Sequence, residues 1–122
     1  AGLRAEVELS RDSAESFGAS ESDHPTAAAL SAVAEATLRA VSELLDDATR
    51  LCLGGVLKVS FAGDDAILVR VDVVGERGTR SLVGSTLVAG NEAQAVVFAT
   101  LDAINRLTGK FEFKSSIEYK IK

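Results

Sequence analysis

The odd-numbered positions Leu3, Ala5, Val7 and Leu9 are apolar and the residues between them are polar, a period of two that predicts a half-buried strand at the start of the chain. The same alternation returns at Leu57, Val59 and Phe61, at Ile67, Val69, Val71 and Val73, and at Val83, Ser85 and Leu87. Gly63-Asp64-Asp65 and Gly75-Glu76-Arg77-Gly78 separate these three runs. Gly and Asp accept the backbone angles of tight turns, so both read as the turns of an antiparallel meander. A weaker strand over Ala14 to Ser20 completes a hairpin with the first. At the end, KFEFKSSIEYKIK places Phe111, Phe113, Ile117, Tyr119 and Ile121 on one face and predicts a final strand over residues 110–122.

Two segments change period. Leu30, Val33, Ala34, Thr37, Leu38, Val41, Leu44 and Leu45 recur at steps of three and four, with Glu35, Arg39 and Glu43 on the opposite side. Ala93, Val96, Val97, Thr100, Leu101, Ile104 and Leu107 do the same. Each is an amphipathic helix with a credible start. Pro25 stands near the first, where its missing N–H is no loss; Asn91 opens the second, with Gln94 three positions on as in a capping box.

The two helices also carry nearly the same words, ATLRAVSELLD at 36–46 and ATLDAINRLTG at 99–109. Upstream, Val7, Leu9 and Gly18 align with Val71, Val73 and Gly84 once small insertions are allowed. Two copies are too few for a solenoid, so the repeat predicts a duplicated supersecondary unit. The first half begins one strand short, and the tail can supply it. The expectation is a single α+β domain over 1–122 in the order β-β-α-β-β-β-α-β. It consists of two pseudo-symmetric βββα-like units, 1–47 with 110–122 and 48–109, in mostly antiparallel sheet with two helices on one face.

Composition narrows the class of partner. With 47% hydrophobic residues the chain can bury a core, and a formal net charge of -5 argues against a surface that tracks phosphates, so no nucleic acid is expected. The longest basic cluster is Lys120, Ile121, Lys122. A single cysteine, Cys52, rules out an internal disulfide and favours a reducing compartment. No apolar run approaches the ~18 residues of a membrane span and no signal-peptide core is present, so the expected location is cytoplasmic, without membrane association.

Candidate chemistry is sparse. His24 is the only histidine and reads as a residue at the start of the first helix; Cys52, between Leu51 and Leu53, reads as a small buried filler. An enzyme would have to use one of these two, and the expectation is a non-catalytic chain with no cofactor and no metal. Asp46-Asp47 and Asp64-Asp65 are read as residues favoured at a helix end and in a turn, not as metal ligands. The duplication places two loops equivalently, GASESDHPT and GSTLVAGNE. Helix N-termini offer unpaired N–H groups to an anion, so Ser20, Ser22, Asp23, His24, Gly90 and Asn91 are the candidate ligand-binding residues. On the sheet, Leu68, Val74, Leu82 and Val88 fall at positions facing away from the helices and are the candidate interface for self-association.

The stretch SLVGSTLVAGNEAQAVVFATLDAINR, a glycine-bearing strand leading into an ATLDAINR helix, with FAGDDAILVRVDVV as the hairpin before it, resembles the C-terminal regulatory domain of 2-isopropylmalate synthase. The resemblance implies duplicated βββα units that dimerise and bind a feedback amino acid near the loops before the helices. The functional expectation is therefore a non-catalytic, dimeric regulatory module that senses a small anionic or amino-acid-like metabolite. The alternative is a structural or protein-interaction module that self-associates through its sheet with no small ligand.

Overall fold

The computed structural model describes residues 3–11, 14–22, 27–45, 48–106 and 118–121. The chain is α+β, in the order β1 (Leu3–Arg11), β2 (Ala14–Ser22), α1 (Ala27–Ser42), β3 (Arg50–Phe61), β4 (Asp64–Gly75), β5 (Gly78–Leu87), α2 (Glu92–Asn105) and β6 (Glu118–Ile121). The strands form two antiparallel three-stranded sheets, ordered β2-β1-β6 and β3-β4-β5. The chain's last strand joins its first, with Val7 opposite Ile121 and Leu9 opposite Tyr119. Phe111, Phe113 and Ile117, the rest of the expected final strand, lie outside the described residues.

Register in the second sheet follows from two tight turns. Ala62 and Gly63 both have positive φ, 52° and 91°, the hand that suits the twist of a two-residue hairpin. Phe61 therefore pairs with Asp64, and the aspartates 64 and 65 belong to β4 rather than to the turn. Glu76-Arg77 closes the next hairpin between Gly75 and Gly78. A two-residue turn sets odd positions of one strand against even positions of the next. Ile67, Val69, Val71 and Val73 thus share the helix-covered face with Thr86, Gly84 and Leu82 of β5, while Val83, Ser85 and Leu87 look the other way. In β3, Gly54 is an extra residue between Leu53, opposite Val71, and Gly55, opposite Arg70. This bulge lets Leu51 and Leu53 before it, and Val56 after it, all pack against the core.

The helices complete one continuous core, joined by Val7 of β1 and the inner residues of β4 and β5. α1 lies on β1 and β2 and also touches α2 and β3; α2 lies on β4 and β5. Each helix buries the same positions at an offset of 63 residues, from Ala32 and Ala95 through Val41 and Ile104. Two of these are threonines, whose hydroxyls donate to the carbonyl four residues back: Thr37 to Val33 at 2.8 Å and Thr100 to Val96 at 2.7 Å. Burial of those polar groups is therefore compensated. Alanines on the sheet-facing side of α2 let it approach β5 closely: a Cβ at Gly84 would stand 2.1 Å from the Ala99 carbonyl oxygen and 2.2 Å from the Ala103 nitrogen. Gly84 pairs with buried Val69, as Gly18 pairs with buried Val7. The sequence alignment sets Val7 against Val71; strand pairing shifts the match by two positions, to Val69.

Candidate functional site

The face of β3-β4-β5 turned away from the helices is open among the described elements. Its three rows run Gly55–Arg70–Val83, Leu57–Leu68–Ser85 and Val59–Ala66–Leu87, with Phe61 beyond them beside the Ala62-Gly63 turn. Leu57 is 57% exposed, Phe61 65%, Val83 50% and Leu87 52%, so large apolar side chains stand in water along one continuous strip. Between them, Val59, Phe61, Leu68 and Leu87 surround a trough of about 390 Å³ floored by Ala66. A second hollow of about 270 Å³ lies over Gly54 and Gly55, walled by Leu57, Leu68, Arg70 and Val83.

Away from the Ala62-Gly63 turn the same face becomes polar. Arg70 donates to Asp72 through Nε at 3.1 Å and to Ser81 through a terminal nitrogen at 3.2 Å, while the Ser81 hydroxyl donates to Asp72 at 2.7 Å. The Ser81 hydroxyl, then Arg70, hold the Asp72 carboxyl below the ordinary aspartate range. The stem of Arg70 lies across Gly54, where a Cβ would come within 2.7 Å of its Cγ. Cys52, opposite Asp72, is exposed on this face. It is not the buried filler expected, because Leu51 and Leu53 turn inward and the residue between them must turn outward.

Of the expected interface residues, Leu68 and Val74 are on the open face. Leu82 is not: it pairs with Val71 and is buried beneath α2. Val88 follows β5 and packs against the core. Their places on the face are taken by Val83 and Leu87, together with Leu57, Val59 and Phe61 of β3. Reading the two turns as Ala62-Gly63 and Glu76-Arg77 would have found all five, because the first sets the phase of β3 and the second that of β5 relative to β4.

The expected ligand site is divided. Asp23 and His24 lie outside the described residues, as do Asp46 and Asp47. Ser20 and Ser22 belong to β2, paired with Ala5 and Leu3, and not to a loop. Gly90, at φ 88°, makes the bend before α2, and the Asn91 side chain accepts from the Gln94 N–H at 3.1 Å as the helix cap. Glu92 occupies the first turn and bonds the Lys58 ammonium, which also stands 3.7 Å from Asp65. The bond to Glu92 raises the Lys58 pKa above the ordinary lysine value. The positive end of the α2 dipole is thus already met by the protein's own carboxylate. A shallow pocket of about 150 Å³ remains beside it, between Asn91 and Phe98.

Two backbone groups at one edge of the sheet are met by side chains of α2 and of its C-cap residue Arg106. Asp102 accepts from the Ser85 N–H at 3.0 Å, and Arg106 donates through Nε to the Val83 carbonyl at 3.1 Å and through a terminal nitrogen to Asp102 at 3.5 Å. These are outward-pointing groups of β5 that would otherwise invite another strand. Compared with protein-family models, characterised proteins and solved structures, the chain matches none. No helix among the described residues is long and apolar enough to cross a membrane.

Proposed function

We propose that this chain is a non-catalytic interaction module that works by associating with itself through the open face of β3-β4-β5. The observation that carries this reading is the continuous strip of Leu57, Phe61, Val83 and Leu87, each at least half exposed, around an apolar trough. Monomeric proteins seldom leave such a strip in water, and its contact with a like surface removes apolar area from both copies. At the β5 edge Asp102 and Arg106 already occupy the Ser85 N–H and the Val83 carbonyl, which favours association through the face over that edge.

A metabolite-sensing role has less support at the α2 entrance, where Asn91 already accepts from the Gln94 N–H and Glu92 already pairs with Lys58. Self-association predicts a particle whose mass rises with concentration in sedimentation equilibrium, and a Leu57→Glu variant that stays monomeric with an unchanged circular dichroism spectrum. A ligand-sensing module would instead gain thermal stability from amino acids or small carboxylates with the logarithm of their concentration. Wild-type chain that remains monomeric at millimolar concentration rejects the self-association reading.

A further inference from the structure

In two of the three rows of the open face, large and small side chains are arranged so that β3 of one copy fits β5 of another. The outward residues of β3 are Gly55, Leu57 and Val59; the outward residues of β5 in the same rows are Val83, Ser85 and Leu87. Resting on the self-association reading, we infer that two copies stack face to face about a two-fold axis parallel to the strands, running over β4. That rotation carries β3 over the partner's β5 and keeps each row on itself. Val83 then enters the hollow over the partner's Gly55, Leu57 meets the partner's small Ser85, and Leu87 lies over the partner's Val59 at the wall of the trough floored by Ala66. Alternation of this kind is what close packing between sheets requires.

The other in-plane axis, perpendicular to the strands and centred on the face, does worse on both sterics and charge. It sets Leu57 against Leu57 and Leu87 against Val83, and lays the apolar end with Phe61 over the polar end with Asp72. The ion pair would be desolvated without a partner. In the strand-parallel arrangement the polar ends face each other and Arg70 lies over the partner's Arg70, each neutralised by its own Asp72 at 3.1 Å. Three strands about ten residues long cover roughly 480 Å² at ~4.8 Å between strands and ~3.3 Å per residue. Two copies together therefore approach the ~1,000 Å² that a specific interface needs.

Gly55 offers a clean test. A Cβ there meets nothing within 4 Å and its φ is not positive, so the backbone and Cβ of Gly55→Val have room in the single chain while the side chain fills the space assigned to the partner's Val83. By sedimentation equilibrium, Gly55→Val should weaken the dimer at least tenfold. Adding Val83→Ala should bring it back to within about threefold of Val83→Ala alone, a coupling that residues two strands apart in one copy do not have. As a second readout, the two Cys52 residues should lie about 14 Å apart, given ~10 Å between sheets and two strand spacings of ~4.8 Å, and should be joined by a bismaleimide of matching reach. An unchanged dissociation constant in Gly55→Val, with Leu57→Glu still dissociating the dimer, overturns this stacking but leaves the face as the interface. A wild-type chain that never dimerises overturns both.

Discussion

Gly84 shows how one residue sets the spacing of two layers. Its missing side chain is where the backbone of α2 at Ala99 and Ala103 comes to rest, so Gly84→Ala forces the helix off the sheet. The expected cost is about 3 kcal/mol or more, the upper range for overpacking, because backbone and not a flexible side chain must move. A urea midpoint indistinguishable from wild type would show that the helix stands further off than the structure has it. Asp72 supports a different kind of expectation. Its carboxyl is held below the ordinary aspartate range, first by Ser81 and then by Arg70. Its contribution to stability is therefore complete above the unfolded aspartate pKa and is lost as pH falls through the lower folded value. Carboxyl NMR titration should find a depressed midpoint in wild type that moves upward in Ser81→Ala; an unmoved midpoint would show that Ser81 is not the main cause.

At the scale of elements, α2 serves as both the cover of the sheet and the guard of its edge. Asp102 and Arg106, four residues apart on one side of the helix, reach the Ser85 N–H and Val83 carbonyl that a neighbouring strand would use. Replacing both with alanine should cost only ~1–2 kcal/mol, the scale of two partly exposed hydrogen bonds. The same variant should form higher oligomers or aggregates by light scattering, because β5 then presents a free edge. Persistence of the wild-type size distribution would mean the edge is protected by something else. The elements themselves are largely readable in the sequence: both helices and the meander from periodicity, and the pairing of the chain's last strand with its first from the repeat, which leaves the first half one strand short. What periodicity misassigned was phase. Leu82 was expected outward and Val83 inward, since alternation alone does not say which of two faces meets the helix.

For the molecule as a whole, the decisive quantity is how much apolar surface remains after the core has formed. The helices cover one side of β3-β4-β5 and leave Leu57, Phe61, Val83 and Leu87 on the other. If two copies bury that strip together, the melting temperature should climb with protein concentration, as for any equilibrium in which the native state alone binds a partner. The Leu57→Glu variant should melt at one temperature across the same range. A melting temperature independent of concentration in wild type would remove the basis for the interaction reading. The net charge of -5 sits largely elsewhere, since Arg70 and Asp72 cancel within the face.

The amino-acid sequence by itself determined the class and number of elements, the repeat in the two helices and the helix cap at Asn91, because these depend on neighbours within a few residues along the chain. Only the tertiary structure decided which side of each strand became the core. In the second sheet the two-residue turns at Ala62-Gly63 and Glu76-Arg77 and the extra residue at Gly54 set that choice through strand pairing. One residue more or less in a turn exchanges the faces of the next strand, and at Gly54 those of the part of β3 beyond it, and so exchanges the side chains that are buried for those offered to a partner.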